Sequence, residues 1–298
     1  MKIIISGASG FVGQHLSKFL KENGNEVLPI SLRNPNWDFD KKADAIIHLA
    51  GKAHDTANTS ADEEYFIINT DLTKKLFDDF LNSEIQDFFY FSSVKATADT
   101  VDEILDENHL SNPKTPYGKS KLLAEEYLLS KKNLENKRLF IIRPCMIHGP
   151  GNKGNLNLLY KFVEKRIPWP LANFENKRSF LGIDNLNFLM LKMLKSKDIS
   201  SGIYNFSDDD CLSTNDLVKI IANTSGKKAK LWAISKNLIQ KIAKIGDFLK
   251  LPINSERLKK LTESYVVSNH KIKNALQIQQ LPFSINEGLI KTIKSFSN

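Results

Sequence analysis

Short runs of branched and aromatic residues alternate with amphipathic stretches through the first half of the chain. Lys2–Ser6 reads as a strand, Gly13–Asn23 as a helix and Glu26–Ser31 as a second strand. Asp44–Ala50 (DAIIHLA), Phe88–Ser92 (FFYFS) and Arg138–Arg143 (RLFIIR) are nearly continuous apolar runs, the mark of strands covered on both faces. Helical spacing appears between them at Ala61–Ser83 and Tyr117–Ser130. Strands alternating with helices predict an α/β chain with a doubly wound parallel sheet over residues 1–150. Only about a dozen residues separate the second strand from Asp44, so one crossover there is shortened. From Gly149 the pattern loosens into GPGNKGN and IPWP. A smaller C-terminal lobe is therefore expected over 151–182 and 207–298, with about 183–206 returning to the sheet.

Composition narrows the setting. A chain of 298 residues, 41% hydrophobic and 26% charged, buries an ample core without covalent staples. Two cysteines, Cys145 and Cys211, exclude a disulfide framework, and a cytoplasmic location follows as the expectation. No apolar run approaches the ~20 residues of a membrane span. Met1–Ile5 is too short for a signal-peptide core. The net charge of +8 is largely local: Gly226–Lys260 holds ten basic residues against Asp247 and Glu256. No interleaved aromatics accompany that charge, so no nucleic-acid partner is expected. Within it, Trp232–Lys250 reads as a helix with Leu238, Ile239, Ile242, Ile245 and Leu249 on one face. That stripe is expected to pack inward, which makes membrane contact unexpected. No cluster has metal-ligand spacing, and no metal is expected.

The chemistry begins after the first strand. Gly7, Gly10 and Gly13 are spaced G-x-x-G-x-x-G and open a helix, with Phe11 and Val12 in its first turn. Glycines there let the backbone approach a pyrophosphate at a helix N-terminus, where N–H groups and the dipole favour anions. This is the Rossmann-like arrangement of a dinucleotide site. At the end of the second strand a carboxylate would hold the ribose hydroxyls of NAD, but Ser31 stands there, followed by Arg33. No acid repels a 2′-phosphate and Arg33 offers it a partner, which favours NADP(H), with NAD(H) the alternative. Tyr117 and Lys121 share a helix face at i and i+4, so an ammonium can sit near a phenol and lower its pKa. Ser93 closes the FFYFSS strand at the carboxyl end of the sheet, placed to hold a substrate oxygen while Tyr117 moves its proton.

The chain resembles the extended short-chain dehydrogenase/reductase family, the NAD-dependent epimerase/dehydratase group acting on nucleotide sugars. The resemblance runs through GASGFVG, His48–Gly51, the Asn69 helix, FSSVKA, PYGKSK, Ile141–Gly151, Lys177–Leu186 and Gly202–Asp208. It implies Ser93, Tyr117 and Lys121 as catalytic positions, with Lys121 also binding the nicotinamide ribose. It places Leu49, Ala50 and Gly51 along the cofactor and Pro144 beside the nicotinamide. Asn155 and Arg178 match residues that contact the nucleotide diphosphate of the substrate, and the C-terminal lobe becomes its binding lobe. A homodimer through Ala61–Ser83 and Tyr117–Ser130 is also implied.

One departure is informative. Soluble sugar 4,6-dehydratases of this family carry an Asp-Glu pair after the catalytic hydroxyl residue; here Val94 and Lys95 stand there, which argues against dehydration. SSVK is most similar to reductases and epimerases of UDP-N-acetyl-hexosamines in surface-polysaccharide synthesis. The reading is reduction at C4 of a UDP-4-keto-6-deoxy-N-acetyl-hexosamine, with a UDP-hexose or UDP-N-acetyl-hexosamine 4-epimerase as the alternative. An intact Ser-Tyr-Lys set argues against a non-catalytic NADP-sensing regulator. Lys95 is either a sugar or diphosphate contact or a solvated lysine, and His54 either a substrate contact or a structural histidine.

Overall fold

The computed structural model describes the chain apart from residues 35, 54–60, 132–133, 135, 153, 250–253 and 297–298. His54 lies outside the described residues. Strands β1 (Lys2–Ser6), β2 (Glu26–Ile30), β3 (Ala45–His48), β4 (Asp87–Phe91), β5 (Arg138–Pro144) and, much later, β8 (Gly202–Phe206) form one sheet in the order β2-β1-β3-β4-β5-β8. Every pairing is parallel. Helix α1 (Phe11–Glu22) connects β1 to β2, and no helix intervenes among the described residues between β2 and β3. The chain reverses direction across the sheet between β1 and β3, and ligands of open α/β sheets bind at that point, at the carboxyl ends of the strands.

Both sheet faces are covered, which is why these strands are apolar at consecutive positions. One face packs Ile3, Ile5, Phe89 and Phe140 against Leu16 and Leu20 of α1 and Leu186–Leu194 of α6 (Ile183–Lys195). The other packs Ile4, Ile46, Phe88 and Ile141 against Leu76, Phe77 and Phe80 of α3 (Leu72–Leu81) and against Ala124 and Leu128 of α4 (Pro116–Ser130).

The helix expected over Ala61–Ser83 is interrupted. It comprises α2 (Asp62–Phe66), one π turn at Ile67–Asp71, and then α3. The Thr73 hydroxyl donates to the Asn69 carbonyl at 2.7 Å, and the Asn69 side chain is drawn off to neighbouring segments, a setting in which π turns recur. Helix α4 starts where its sequence dictates. Pro116 occupies the first turn, and Thr115 Oγ1 accepts the Gly118 N–H at 3.2 Å.

A second, three-stranded sheet joins β6 (Met146–His148), β7 (Arg178–Gly182) and β9 (Cys211–Leu212) in that order. Against it lies a separate core that gathers α5 (Asn155–Glu164), α7 (Thr214–Thr224), α8 (Lys236–Phe248), α9 (Ser255–Thr262) and α11 (Ile285–Lys294). Helix α8 departs from expectation. Ile239, with Ala243 and Gly246, is buried, but Leu238, Ile242, Ile245 and Leu249 stay exposed. Two adjacent stripes, one small-residue and one large, run along this helix, and the small one makes the closer approach to the core.

Candidate active site

The carboxyl ends of β1, β3, β4 and β5 meet the start of α4, and the expected chemistry gathers there. Gly7 sits at φ +73°, a conformation that favours glycine, and a Cβ on it would come within 2.6 Å of the Ala50 nitrogen. A Cβ on Gly13 would lie 2.2 Å from the Gly7 carbonyl oxygen. The loop is thus closed on itself and on Leu49 and Ala50, and no side chain caps the first turn of α1. Bare peptide N–H groups at a helix start beside a backbone only glycine permits form a cradle that fits the pyrophosphate of a dinucleotide. Ser31 and Arg33 are exposed just past β2, next to β1 in the sheet. Pro144 ends β5, buried and paired with Phe206. Phe11 packs edge-on against His15, and a Cβ on Gly149 would come within 3.2 Å of its ring.

Ser93 caps the short turn Val94–Ala96, its Oγ accepting the Lys95 N–H at 3.2 Å. It is also hydrogen-bonded to the Tyr117 phenol across from it. One turn along α4, Lys121 is buried, donates to the Phe91 carbonyl at 2.9 Å and lies 4.9 Å from the Tyr90 ring centre. Burial lowers its pKa to about 8, against a smaller opposing pull from Glu125. The phenol responds in the other direction. Burial raises Tyr117 above its ordinary value, outweighing the Ser93 hydrogen bond, while Tyr65, whose ring meets it edge-on at 6.1 Å, adds to the rise. The expectation is that the Lys121 ammonium and a nicotinamide cation together lower Tyr117; in the chain by itself Lys121 donates to the Phe91 carbonyl, and burial sets the direction of the phenol.

Lys95 and Arg178 come together around Tyr265. The Lys95 ammonium lies 4.0 Å from the centre of that ring and donates to the Asp99 carbonyl at 2.6 Å. Arg178 bridges the Tyr265 backbone and donates to the Lys260 carbonyl. Burial first, then the Arg178 charge, lowers Lys95 to about 8, despite the opposing pull of Asp99. Burial likewise lowers Arg178. Lys95 is thus packed against Tyr265 and engaged with the Asp99 carbonyl, not a freely solvated lysine. Asn155 opens α5, and its side chain lies outside the described positions.

Several supporting residues carried no legible signal as a set. Asn69 Oδ1 accepts the Lys52 N–H at 2.7 Å and its Nδ2 donates to Ser120 Oγ at 3.0 Å, tying the loop after β3 to α4. Beneath Lys121, Arg143 of β5 grips Glu125 through two nitrogens, and Glu125 also accepts the Ser92 hydroxyl. Asp99 accepts the Lys114 N–H at 2.6 Å and the Thr115 hydroxyl at 3.0 Å, holding the loop that leads into Tyr117. His48 is enclosed between Ser6 at 2.6 Å and Thr73 at 2.8 Å; burial lowers its pKa to about 3, so it stays neutral. A cavity of about 480 Å³ beside Asn176, Lys177, Cys211 and Ser264 is not lined by Ser93, Tyr117 or Lys121. Among the described residues no group of His, Cys, Asp and Glu is arranged to hold a metal ion.

A parallel sheet whose glycine loop and Ser-Tyr-Lys set meet at one edge defines a dinucleotide-dependent class of enzyme. Residues 3–206 match the NAD dependent epimerase/dehydratase family, and the chain belongs to it. It is similar to the UDP-glucose 4-epimerase of Vibrio cholerae, 28% identical over 74% of each chain. It is similar along nearly its whole length to the N-acetyl-alpha-D-glucosaminyl-diphospho-ditrans,octacis-undecaprenol 4-epimerase of Escherichia coli O157:H7, 25% identical over 98% of this chain and 94% of the other. The fold matches that of the UDP-glucuronic acid 4-epimerase from Bacillus cereus in complex with NAD, at a TM-score of 0.78, 20% identity and 100% and 99% of the two chains. It equally matches RMD from Pseudomonas aeruginosa complexed with NADPH, at a TM-score of 0.76, 18% identity and 100% of each chain.

Proposed function

We propose that this enzyme reduces the C4 ketone of a UDP-linked 4-keto-6-deoxy-N-acetyl-hexosamine, with NADP(H) as its preferred cofactor. The observation that carries this reading is the Ser93–Tyr117 hydroxyl pair, with Tyr117 held protonated by burial, at the edge where the glycine loop ends. A ketone reduction needs a proton donor at the sugar oxygen, and a phenol of raised pKa is one at neutral pH. A nicotinamide held along the glycine loop would supply the hydride. Ser93 donates a hydrogen bond to the sugar O4, and Tyr117 gives up its phenolic proton as that oxygen gains negative charge. Lys121 holds the nicotinamide ribose and steadies the phenolate left behind. Gly7, Gly10, Phe11, Val12 and Gly13 bind the pyrophosphate, with Leu49, Ala50, Gly51 and Pro144 along the cofactor and Arg33 facing a 2′-phosphate. Lys95 and Arg178 hold the substrate diphosphate, and Asn155 contacts it from the start of α5. Residues 151–182 and 207–298 then serve as the substrate-binding lobe over a dinucleotide-binding domain. Val94 and Lys95, in the place of an acid pair, support reduction rather than dehydration.

The names of two relatives favour a second reading, a 4-epimerase on a diphosphate-linked sugar. That reaction uses the same three residues but returns the hydride, so its cofactor is not consumed. One assay distinguishes the readings. The enzyme is given the UDP-4-keto-6-deoxy sugar with NADPH or NADH, and in parallel UDP-N-acetylglucosamine without reductant. The expected outcome is stoichiometric oxidation of cofactor in the first arm, faster with NADPH. Interconversion of C4 epimers in the second, with no net cofactor change, establishes the epimerase instead.

A further inference from the structure

Among the described residues, nothing covers the large apolar stripe of α8. Leu238, Ile242, Ile245 and Leu249 follow one another at helical spacing on one face and are 51%, 43%, 56% and 57% exposed. Phe248 is 87% exposed at the end of the helix, and Trp232, just ahead of it, 56%. Single exposed apolar residues are ordinary, but a contiguous set of this size marks a contact surface.

The charge around the stripe indicates what covers it. Lys241 stands three residues after Leu238 and four before Ile245, so it borders the stripe directly. Lys236 and Lys244 are exposed on the same helix, and Lys228 and Lys230 are exposed in the segment leading to it. The acid within α8, Asp247, is engaged elsewhere. Its carboxylate accepts the Ser255 N–H at 2.8 Å and the Ser255 hydroxyl at 2.5 Å, at the start of α9. The exposed part of the helix therefore carries an apolar stripe with Lys241 directly beside it and Lys244 further round on the solvent side.

We propose that α8 docks this protein onto the surface of an anionic phospholipid bilayer. A second copy of the chain on this face would bring lysines against lysines. RNA would pair with the lysines but leave four aliphatic side chains in water. A bilayer satisfies both at once: the stripe sinks to the boundary between headgroups and acyl chains while the lysines stay level with the lipid phosphates. The helix lies in the interface and does not cross it, since no described helix is long and apolar enough to do so. The inference rests on α8 and is independent of the reaction proposed above.

Flotation of the full chain with lipid vesicles tests it. Binding is expected to vesicles of phosphatidylcholine containing about 30 mol% phosphatidylglycerol, but not to phosphatidylcholine alone, and to weaken steeply in about 0.5 M salt. Ile242→Glu with Ile245→Glu, and separately Lys241→Glu with Lys244→Glu, should each lower partitioning at least ~10-fold. All four side chains are exposed, so the melting temperature and cofactor binding should stay as in the parent chain. Lys241→Arg with Lys244→Arg should keep vesicle binding. The proposal is overturned if the parent chain does not float with anionic vesicles, or if both glutamate variants float as well as it does. It is also overturned if the isoleucine pair merely dissociates a dimer, or the lysine pair abolishes binding to a single-stranded RNA, with no vesicle binding in either case.

Discussion

Burial acts on Tyr117 and Lys121 in opposite chemical directions, holding the phenol protonated and making the ammonium easier to discharge. The two effects have one cause, the cost of a charge away from water. Tyr117→Phe deletes a hydroxyl and little else, so turnover is expected to fall at least ~100-fold while the cofactor dissociation constant, measured by fluorescence titration, is unchanged. Retained turnover would exclude the tyrosine as the proton donor. Lys121 gives a pH dependence with a definite sign. Folding lowers its pKa from 10.5 to about 8, so between those values the unfolded chain holds a proton the folded chain has released. Its contribution to stability therefore rises across that window, while the ammonium available to the cofactor ribose is lost. NADPH affinity is expected to decline as pH passes about 8, and in Lys121→Met to be weaker throughout but flat over the same range. A parent profile as flat as that of the variant would show that this ammonium does not hold the cofactor.

At the scale of elements, α4 carries both titrating residues and is tied to its neighbours by polar groups rather than by a clean amphipathic stripe. Glu125 on α4 and Arg143 on β5 form a buried ion pair, with Ser92 from the end of β4 on the same carboxylate. Removing one partner leaves the other charged and unpaired in the core. Arg143→Met is therefore expected to cost about 3–5 kcal/mol in chemical denaturation. Arg143→Met with Glu125→Leu is expected to recover much of that loss, because the orphaned carboxylate is gone. If the double variant were no more stable than the single, the pair would matter for its geometry and not for its charge balance. The π turn at Ile67–Asp71 is the counterpart on the other side of α4. Its irregularity aims Asn69 at Lys52 and Ser120, between the loop after β3 and the helix that holds Tyr117.

For the whole molecule, the family resemblance implies pairing through α2–α3 and α4, and those elements leave Ile67, Leu123 and Leu129 exposed. Light scattering is expected to give twice the 33.8 kDa chain mass, and Leu123→Asp with Leu129→Asp to return it to one. A monomeric parent chain would refute that arrangement. What could be read from the order of residues is the part of the fold built on short-range rules. Ile3–Ile5, Ala45–Ile47 and Phe88–Phe91 are apolar at every position because both faces are covered, so the strands, their parallel order and the glycine turn between β1 and α1 follow from the chain alone. Ser93, Tyr117 and Lys121 were legible because strand end and helix spacing put them on one side. The small sheet was not: β6 and β9 are three and two residues long, too short for any period to show. Nor was the joining of Lys95 to Arg178 over Tyr265, three residues that only the folded chain brings together. The sense of the Tyr117 shift also lay beyond local pattern, because desolvation depends on everything packed around the phenol. Helix α8 shows the division in a single element. Its amphipathic period is set by sequence, but which of two neighbouring stripes faces the core depends on how closely the rest of the lobe approaches. That approach is closest over Ile239, Ala243 and Gly246, and it leaves the larger side chains outside.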